Sequence, residues 1–270
     1  MISIQTYIPK TLTHLIKSFW YMEVGFDDNV YQEEIIPDGH NEVIFYLNNN
    51  SKWKSPCNDE WITEPSAFIA GQTLKKHEIK MFAGARLYGI RFYPHTLYPF
   101  FKIPLHAINS RILPLSDIMD PEGIWSCITD QPEQTFENME CYLLEMISFQ
   151  TLNSQGYQYV NRVMNSILKT NGMPGINTIR EGGGLSAKYC GDLFRKYVGI
   201  TPKCLCNILK INQFISNKIN YPELSFTELT YESGYYDQSH LIKSFHQFTD
   251  TSPRKYFENG HHISNIFSAL

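Results

Sequence analysis

The stretch Gly234-Tyr-Tyr-Asp-Gln-Ser-His-Leu-Ile-Lys-Ser-Phe245 constrains the fold more than any other segment of this chain. It reads as a turn, a capped start, and a short helix with one greasy face and one polar face. Asp237 stands where an N-cap belongs, its carboxylate able to accept a hydrogen bond from a free amide of the first turn. Leu241, Phe245 and Phe248 recur at helical spacing and must face a core. Ser239, Ile242, Lys243 and His246 recur on the opposite face, with Gln238 at the entrance.

A helix that offers Gln, Ser and Lys outward, after a Gly-containing turn and another short helix, has the shape of a DNA recognition helix. Gln can pair bidentately with adenine, and Lys can reach guanine or a phosphate. Gln238, Ser239, Lys243 and His246 are therefore the candidate DNA-binding residues of this helix. The bland alternative is a set of solvated polar side chains on a surface helix.

These residues resemble the second helix-turn-helix of the AraC/XylS family of bacterial transcription regulators. The resemblance runs through Phe226-Thr-Glu-Leu229, Gly234-Tyr235, Asp237-Gln-Ser-His240, Phe245, Thr251-Ser-Pro253 and Tyr256. Upstream, Gly184-Leu-Ser186, Phe194, Gly199 and Thr201-Pro-Lys203 resemble the first helix-turn-helix of the same module, and Gly184 lies 50 residues before Gly234. The resemblance covers residues 155–258 or so. It implies an all-α domain with two helix-turn-helix motifs joined by a long helix, and double-stranded DNA as the partner. Pro202 suits the first turn of a helix, where its missing amide is no loss. From there to about Asn220 the chain reads as one helix, ~27 Å long at ~1.5 Å per residue. A spacer of that length holds two recognition helices about one DNA turn apart, roughly 34 Å.

The first motif departs from the family pattern. On its helix Cys190, Leu193 and Phe194 face inward, leaving Lys188, Gly191, Asp192 and Arg195 outward. A carboxylate at Asp192 stands where the family usually has a basic or amide residue, and it repels phosphates. Gly191 inside a helix costs about 1 kcal/mol against Ala. Arg180 occupies a position usually held by a small Ala, and Glu181-Gly-Gly-Gly184 makes a slack turn. Lys188 and Arg195 remain as phosphate-holding candidates. Two readings follow. One is a sequence-specific regulator whose specificity rests mainly on the second helix. The other is a ligand-sensing or protein-interaction regulator whose DNA binding is weak or partner-dependent.

The net charge of −4 looks wrong for a DNA binder until the chain is divided. Residues 1–153 carry 11 Lys+Arg against 19 Asp+Glu, a net of −8, whereas residues 154–270 carry 12 against 8, a net of +4. Such asymmetry hints at nucleic-acid interaction by one half, with strongly salt-dependent phosphate attraction. The six cysteines form no paired framework and read as reduced thiols. Cys204 and Cys206 point to nearly opposite sides of a helix and are poorly placed to share a metal ion. With no signal peptide and no run near the ~20 apolar residues of a membrane span, the expectation is a cytoplasmic chain.

The first 115 or so residues read as strands broken by turns: Val43–Leu47, Ala67–Ala70 and Leu87–Tyr93, with a helical turn from Thr96 to Phe101. The expected architecture is α+β: a β-rich N-terminal barrel or sandwich-like regulatory domain over residues 1–150, then the all-α domain. A linker is placed at 151–156, the DNA-binding domain at 157–260 and a tail at 261–270. Phe136, Met139, Leu143, Met146 and Ile147 form an apolar helical stripe that reads equally as a homodimer helix or as packing against its own domain. Ile36-Pro-Asp-Gly39, Glu42-Val-Ile-Phe45, Gly71-Gln72 and Gly89-Ile-Arg-Phe92 with Pro94 resemble the N-terminal domain of one subgroup of AraC-type regulators. That resemblance implies sensing of a small-molecule effector or a protein partner, or dimerisation. Asp38, His40, Arg91 and His95 are the polar residues most embedded among apolar strands, Arg91 as the holder of an anion and His40 as a donor or acceptor. The alternative is an internally paired polar set. No catalytic constellation, phosphate-cradling loop, cofactor motif or metal motif is present in the sequence, and His261-His262 belong to a short tail.

Overall fold

A computed structural model of the chain describes residues 2–26, 30–48, 51–54, 60–173 and 185–259. Numbered along the chain, strands β1 (Ile2–Tyr7), β2 (Ile16–Val24), β9 (Arg86–Phe92), β4 (Asn41–Asn48), β7 (Ala67–Ala70) and β10 (Ile112–Pro114) pair antiparallel in that order. A second antiparallel sheet runs β3 (Val30–Ile35), β8 (His77–Phe82), β5 (Lys52–Lys54) and β6 (Trp61–Thr63). The sheets stay open, so among the described residues there is no closed barrel.

The continuous apolar runs of β2, β4 and β9 follow from burial on both faces. Strand residues alternate sides, so Phe19, Val43, Phe45, Tyr88 and Ile90 join one core while Trp20, Tyr46, Phe68 and Leu87 join another with Met81 of the second sheet. The first core is covered by α3 (Pro132–Met146), which follows the short helices α1 (Tyr98–Phe101) and α2 (Glu122–Trp125). Phe136 of α3 lies 5.5 Å from Tyr7 and 6.1 Å from Phe19, ring centre to ring centre. Phe136, Met139 and Leu143 are buried against their own domain, so the stripe is not available as a dimer face.

The helical part comprises α4 (Phe149–Leu152), α5 (Gln155–Lys169), α6 (Ala187–Tyr197), α7 (Pro202–Asn220), α8 (Phe226–Glu232), α9 (Gln238–Thr249) and α10 (Pro253–Asn259). Side-chain oxygens cap the starts: Ser154, Ser186 and Thr201 each accept a first-turn amide, and Ser225 forms a capping box with Glu228. The expected long helix is α7, 19 residues opening on Pro202. Leu205, Ile208, Ile211, Phe214 and Ile215 carry its buried side, against Phe194, Leu229, Leu241 and Phe245. Arg180, Glu181, Gly184, His261 and His262 lie outside the described residues.

The two parts touch along a broad seam. Gln72 donates to the Val198 carbonyl. Asn109 donates to the Gly199 carbonyl at 2.8 Å, and the Lys76 amide donates to the Phe248 carbonyl at 2.9 Å. Ile36, just past β3, is buried among the helices.

Candidate nucleic-acid interface and the cavity behind it

Two short helices and a tight turn build the candidate reading head. Gly234 between α8 and α9 has φ +73°, a left-handed conformation open to glycine at no steric cost. Its carbonyl accepts from Lys210 of α7 at 3.1 Å, so the spacer helix grips the turn. Asp237 caps α9 by accepting the His240 amide at 2.7 Å. Leu241, Phe245 and Phe248 are then buried, while Gln238, Ser239, Ile242, Lys243 and His246 are exposed. Gln238 is oriented in advance, its amide donating to Thr227 of α8 at 2.7 Å. Tyr236, 86% exposed in the turn, extends the same head and was not singled out in the sequence. A bare aromatic ring before a capped helix is the signal that could have marked it.

On α6, Lys188, Gly191, Asp192 and Arg195 are exposed, and Leu193 and Phe194 are buried. Space beside Gly191 is empty, so this face is bare as well as partly acidic. The Arg195 carbonyl is held by His106 at 3.2 Å, which ties α6 to the N-terminal part.

Between the two sheets lies a cavity of about 140 Å³, partly open to solvent. Strand parity selects its lining: Trp20 and Met22 of β2, Glu42, Ile44 and Tyr46 of β4, and Arg91 of β9 project from one sheet, with Ile79 and Met81 from the other. Gly89 leaves the gap that Trp20 fills, since a Cβ there would lie 2.0 Å from the indole ring. One residue from the helices also reaches in, Asn212 of α7. Its amide donates to the Pro37 carbonyl at 2.9 Å.

Three of the four polar residues singled out in the N-terminal half meet at this cavity, namely Asp38, His40 and Arg91. Arg91 donates to Asp38 from one terminal nitrogen and to Glu42 at 2.5 Å from the other. It is thus internally paired, and its role as the holder of an anion is not supported. Burial disfavours the Asp38 carboxylate, but Arg91 together with the hydrogen bonds from His40 outweighs it and holds the carboxyl well below the usual range. Burial, reinforced by Arg91, pushes His40 down to about 4. Burial raises Glu42 despite Arg91. His95 lies elsewhere. Its Nε2 meets Asn161 of α5 at 2.9 Å, and its ring stacks on Tyr157.

The cavity also holds residues that the sequence did not mark. Burial raises Glu64 to about 7, although Tyr46 donates to it at 2.6 Å and opposes the shift. Burial pushes His77 down to about 4. Gln72 and Glu42 figure in the sequence only as members of a motif. Glu42, two residues before Ile44 on a buried strand, could have been found from parity alone.

Among the described residues no cluster of His, Cys, Asp and Glu could hold a metal ion, and no helix is long and apolar enough to cross a membrane.

Comparisons with known proteins agree with the C-terminal geometry. Residues 183–259 match a family model described as a helix-turn-helix domain, and residues 5–114 match one described as a domain of unknown function (DUF6597). No curated protein matches the sequence. Among solved structures, ToxT from Vibrio cholerae is similar at 11% identity and a TM-score of 0.45, over 95% of this chain and 98% of that one. An unsaturated-fatty-acid-bound ToxT from V. cholerae strain SCE256 is similar at 11% identity and a TM-score of 0.44, over 94% of each chain. The AraC-like transcriptional activator CuxR is 12% identical with a TM-score of 0.26, over 75% of this chain and 83% of that one. The C-terminal part of this chain is an AraC-type helix-turn-helix domain, the DNA-binding unit of a transcription regulator, carried behind a β-rich N-terminal domain.

Proposed function

We propose that the protein is a cytoplasmic, sequence-specific transcription regulator that sets α6 and α9 into successive major grooves of one DNA face. Residues 157–260 form the DNA-binding domain and residues 1–150 the regulatory one. The observation that carries this reading is the outer face of α9, where Gln238, Ser239, Lys243 and His246 are exposed on a helix fixed by the Asp237 cap and the Lys210 contact. The 19-residue α7 separates the two heads by about one DNA turn. Lys188 and Arg195 hold phosphates, while α9 reads bases. The N-terminal domain senses a signal at the cavity, and its seam with α6, α7 and α9 carries the response.

A second reading is favoured by the exposed Asp192 and the bare Gly191 of α6. It is a regulator whose DNA binding is weak or partner-dependent.

Fluorescence anisotropy separates the two. The full chain is titrated with DNA from upstream of its own coding region and with random DNA, across a salt series. A clear preference for the upstream fragment that persists as salt rises supports the first reading. Steep salt dependence without preference supports the second.

A further inference from the structure

We propose that the cavity between the two sheets takes a small apolar molecule, of aromatic-ring size, that presents a neutral or cationic hydrogen-bond donor, an alcohol or an amine, and that it rejects carboxylates. This deepens the sensing role given above to the N-terminal domain and rests on it.

The size follows from the volume. About 140 Å³ is on the scale that a benzene-sized ring fills. The walls are largely apolar and aromatic: Trp20, Trp53, Tyr46, Ile44, Ile79 and Met81.

The head-group chemistry follows from which polar atoms are already engaged. Both terminal nitrogens of Arg91 donate to carboxylates, Asp38 and Glu42. An entering anion would have to displace one of them and then lie against the remaining carboxylate. Glu64, a third carboxyl group, lines the same space. The remaining cation of the lining, Arg111, is exposed to solvent.

Two lining residues carry buried polar atoms with no partner, Oε1 of Gln72 and Nδ1 of His77. The orientation of the Gln72 amide is settled by chemistry: the Val198 carbonyl accepts, so the nitrogen faces it and the oxygen is left over. An unpartnered buried acceptor costs about 1–3 kcal/mol, and a ligand recovers that cost when the side chain turns this buried oxygen toward the cavity to accept from it. The His77 imidazole, kept neutral by burial, offers a second lone pair or N–H according to tautomer. Carboxylates supply only acceptors. Alcohols and amines supply the donor, and a protonated amine also suits the carboxylate-rich lining and the two indole faces.

The test uses three probes of near-equal size, benzyl alcohol, benzylamine and benzoate, with the full chain. Binding is read from quenching of tryptophan emission and from the rise in Tm. Benzyl alcohol and benzylamine are expected to bind at least about tenfold more tightly than benzoate, and Ala70→Leu, which adds carbons to the lining, should abolish the effect. If that variant does not fold, Ile79→Phe or a crystal soaked with benzylamine locates the probe instead.

Benzoate binding as tightly as the other two would overturn the ligand class and leave the sensing cavity standing. Failure of all three at millimolar concentration, or binding that survives the cavity-filling variant, would remove the ligand site altogether. The DNA-binding reading is tested separately by anisotropy and is untouched by either outcome.

Discussion

The side-chain amide of Asn212 donates to the backbone carbonyl of Pro37 across 2.9 Å, joining the spacer helix α7 to the loop that carries Asp38 and His40. The same residue lines the cavity, so a change of loop position on ligand entry meets α7 directly. Asn212→Ala removes two side-chain hydrogen bonds, to the Pro37 and Ile208 carbonyls, and leaves the loop carbonyl without this donor. The expected loss of stability is about 1 kcal/mol, read as a lower urea midpoint with unchanged slope.

Unequal reading heads make a sharp prediction about two lysines. Lys243 stands on α9 beside Gln238 and Ser239, whereas Lys188 stands on α6 with the exposed Asp192 on the same helix. Lys243→Ala should weaken binding to the preferred DNA by about tenfold or more, the scale of one good base contact. Lys188→Ala should cost only a phosphate contact, weakening preferred and random DNA alike and flattening the salt dependence. Equal losses of preference in a gel-shift titration would remove the idea that α9 does most of the reading.

The close approach of Trp20 to Gly89 can be tested by adding one methyl group. The two residues are cross-strand partners, and the indole occupies the space of the missing side chain. Gly89→Ala forces the ring or the strand to move, at an overpacking cost of about 1–3 kcal/mol. Because Trp20 also lines the cavity, its emission should shift as stability falls.

These relationships were unevenly legible in the sequence. The Asp237 cap, the Gly234 turn and the buried triplet Leu241, Phe245 and Phe248 are local signals within a few residues of one another, and each stands where its pattern placed it. Pro202 and the apolar spacing after it likewise announced α7. Arg91 was different. Its partners Asp38 and Glu42 are 53 and 49 residues away, and they converge on it through the pairing of β4 with β9. Without that register an embedded arginine looks like a free cation. Glu64 and His77 come from outside the six-stranded sheet and meet the others only because the two sheets face each other. The stripe on α3 was visible as a stripe, but amphipathic spacing does not name what covers it.

Buried titratable groups give the fold a defined pH response. His40, His77 and His95 are each held down at about 4 by burial, against an ordinary 6.5. Their folded values lie below the unfolded one, so their contribution is present above about pH 6.5 and is lost as pH falls toward 4, by up to ~3 kcal/mol per imidazole. Glu64 acts in the opposite sense. Burial raises it from 4.5 to about 7, so its contribution is present below pH 4.5 and is lost as pH rises through 7. Together they place the highest Tm near neutrality, with a steep fall on the acid side. His77→Phe should make that fall shallower, and Glu64→Gln should lift stability above pH 7.

Ile242 is the apolar member of an otherwise polar face, 45% exposed between Ser239 and His246 on α9. On a surface helix it is an ordinary exposed aliphatic residue. On a recognition helix its side chain meets the one apolar feature of the major groove, the 5-methyl group of thymine. Replacing thymine by uracil in the preferred site deletes that methyl group and nothing else. Wild-type protein should lose affinity at one such position, by a few-fold to about tenfold. Ile242→Ser should bind the thymine site more weakly and no longer distinguish it from the uracil site. The variant leaves Leu241, Phe245 and Phe248 in place, so its Tm should stay within about a degree or two of wild type. If wild-type protein binds every uracil-substituted site as well as the original, Ile242 makes no base contact, and selection by α9 rests on its polar residues alone.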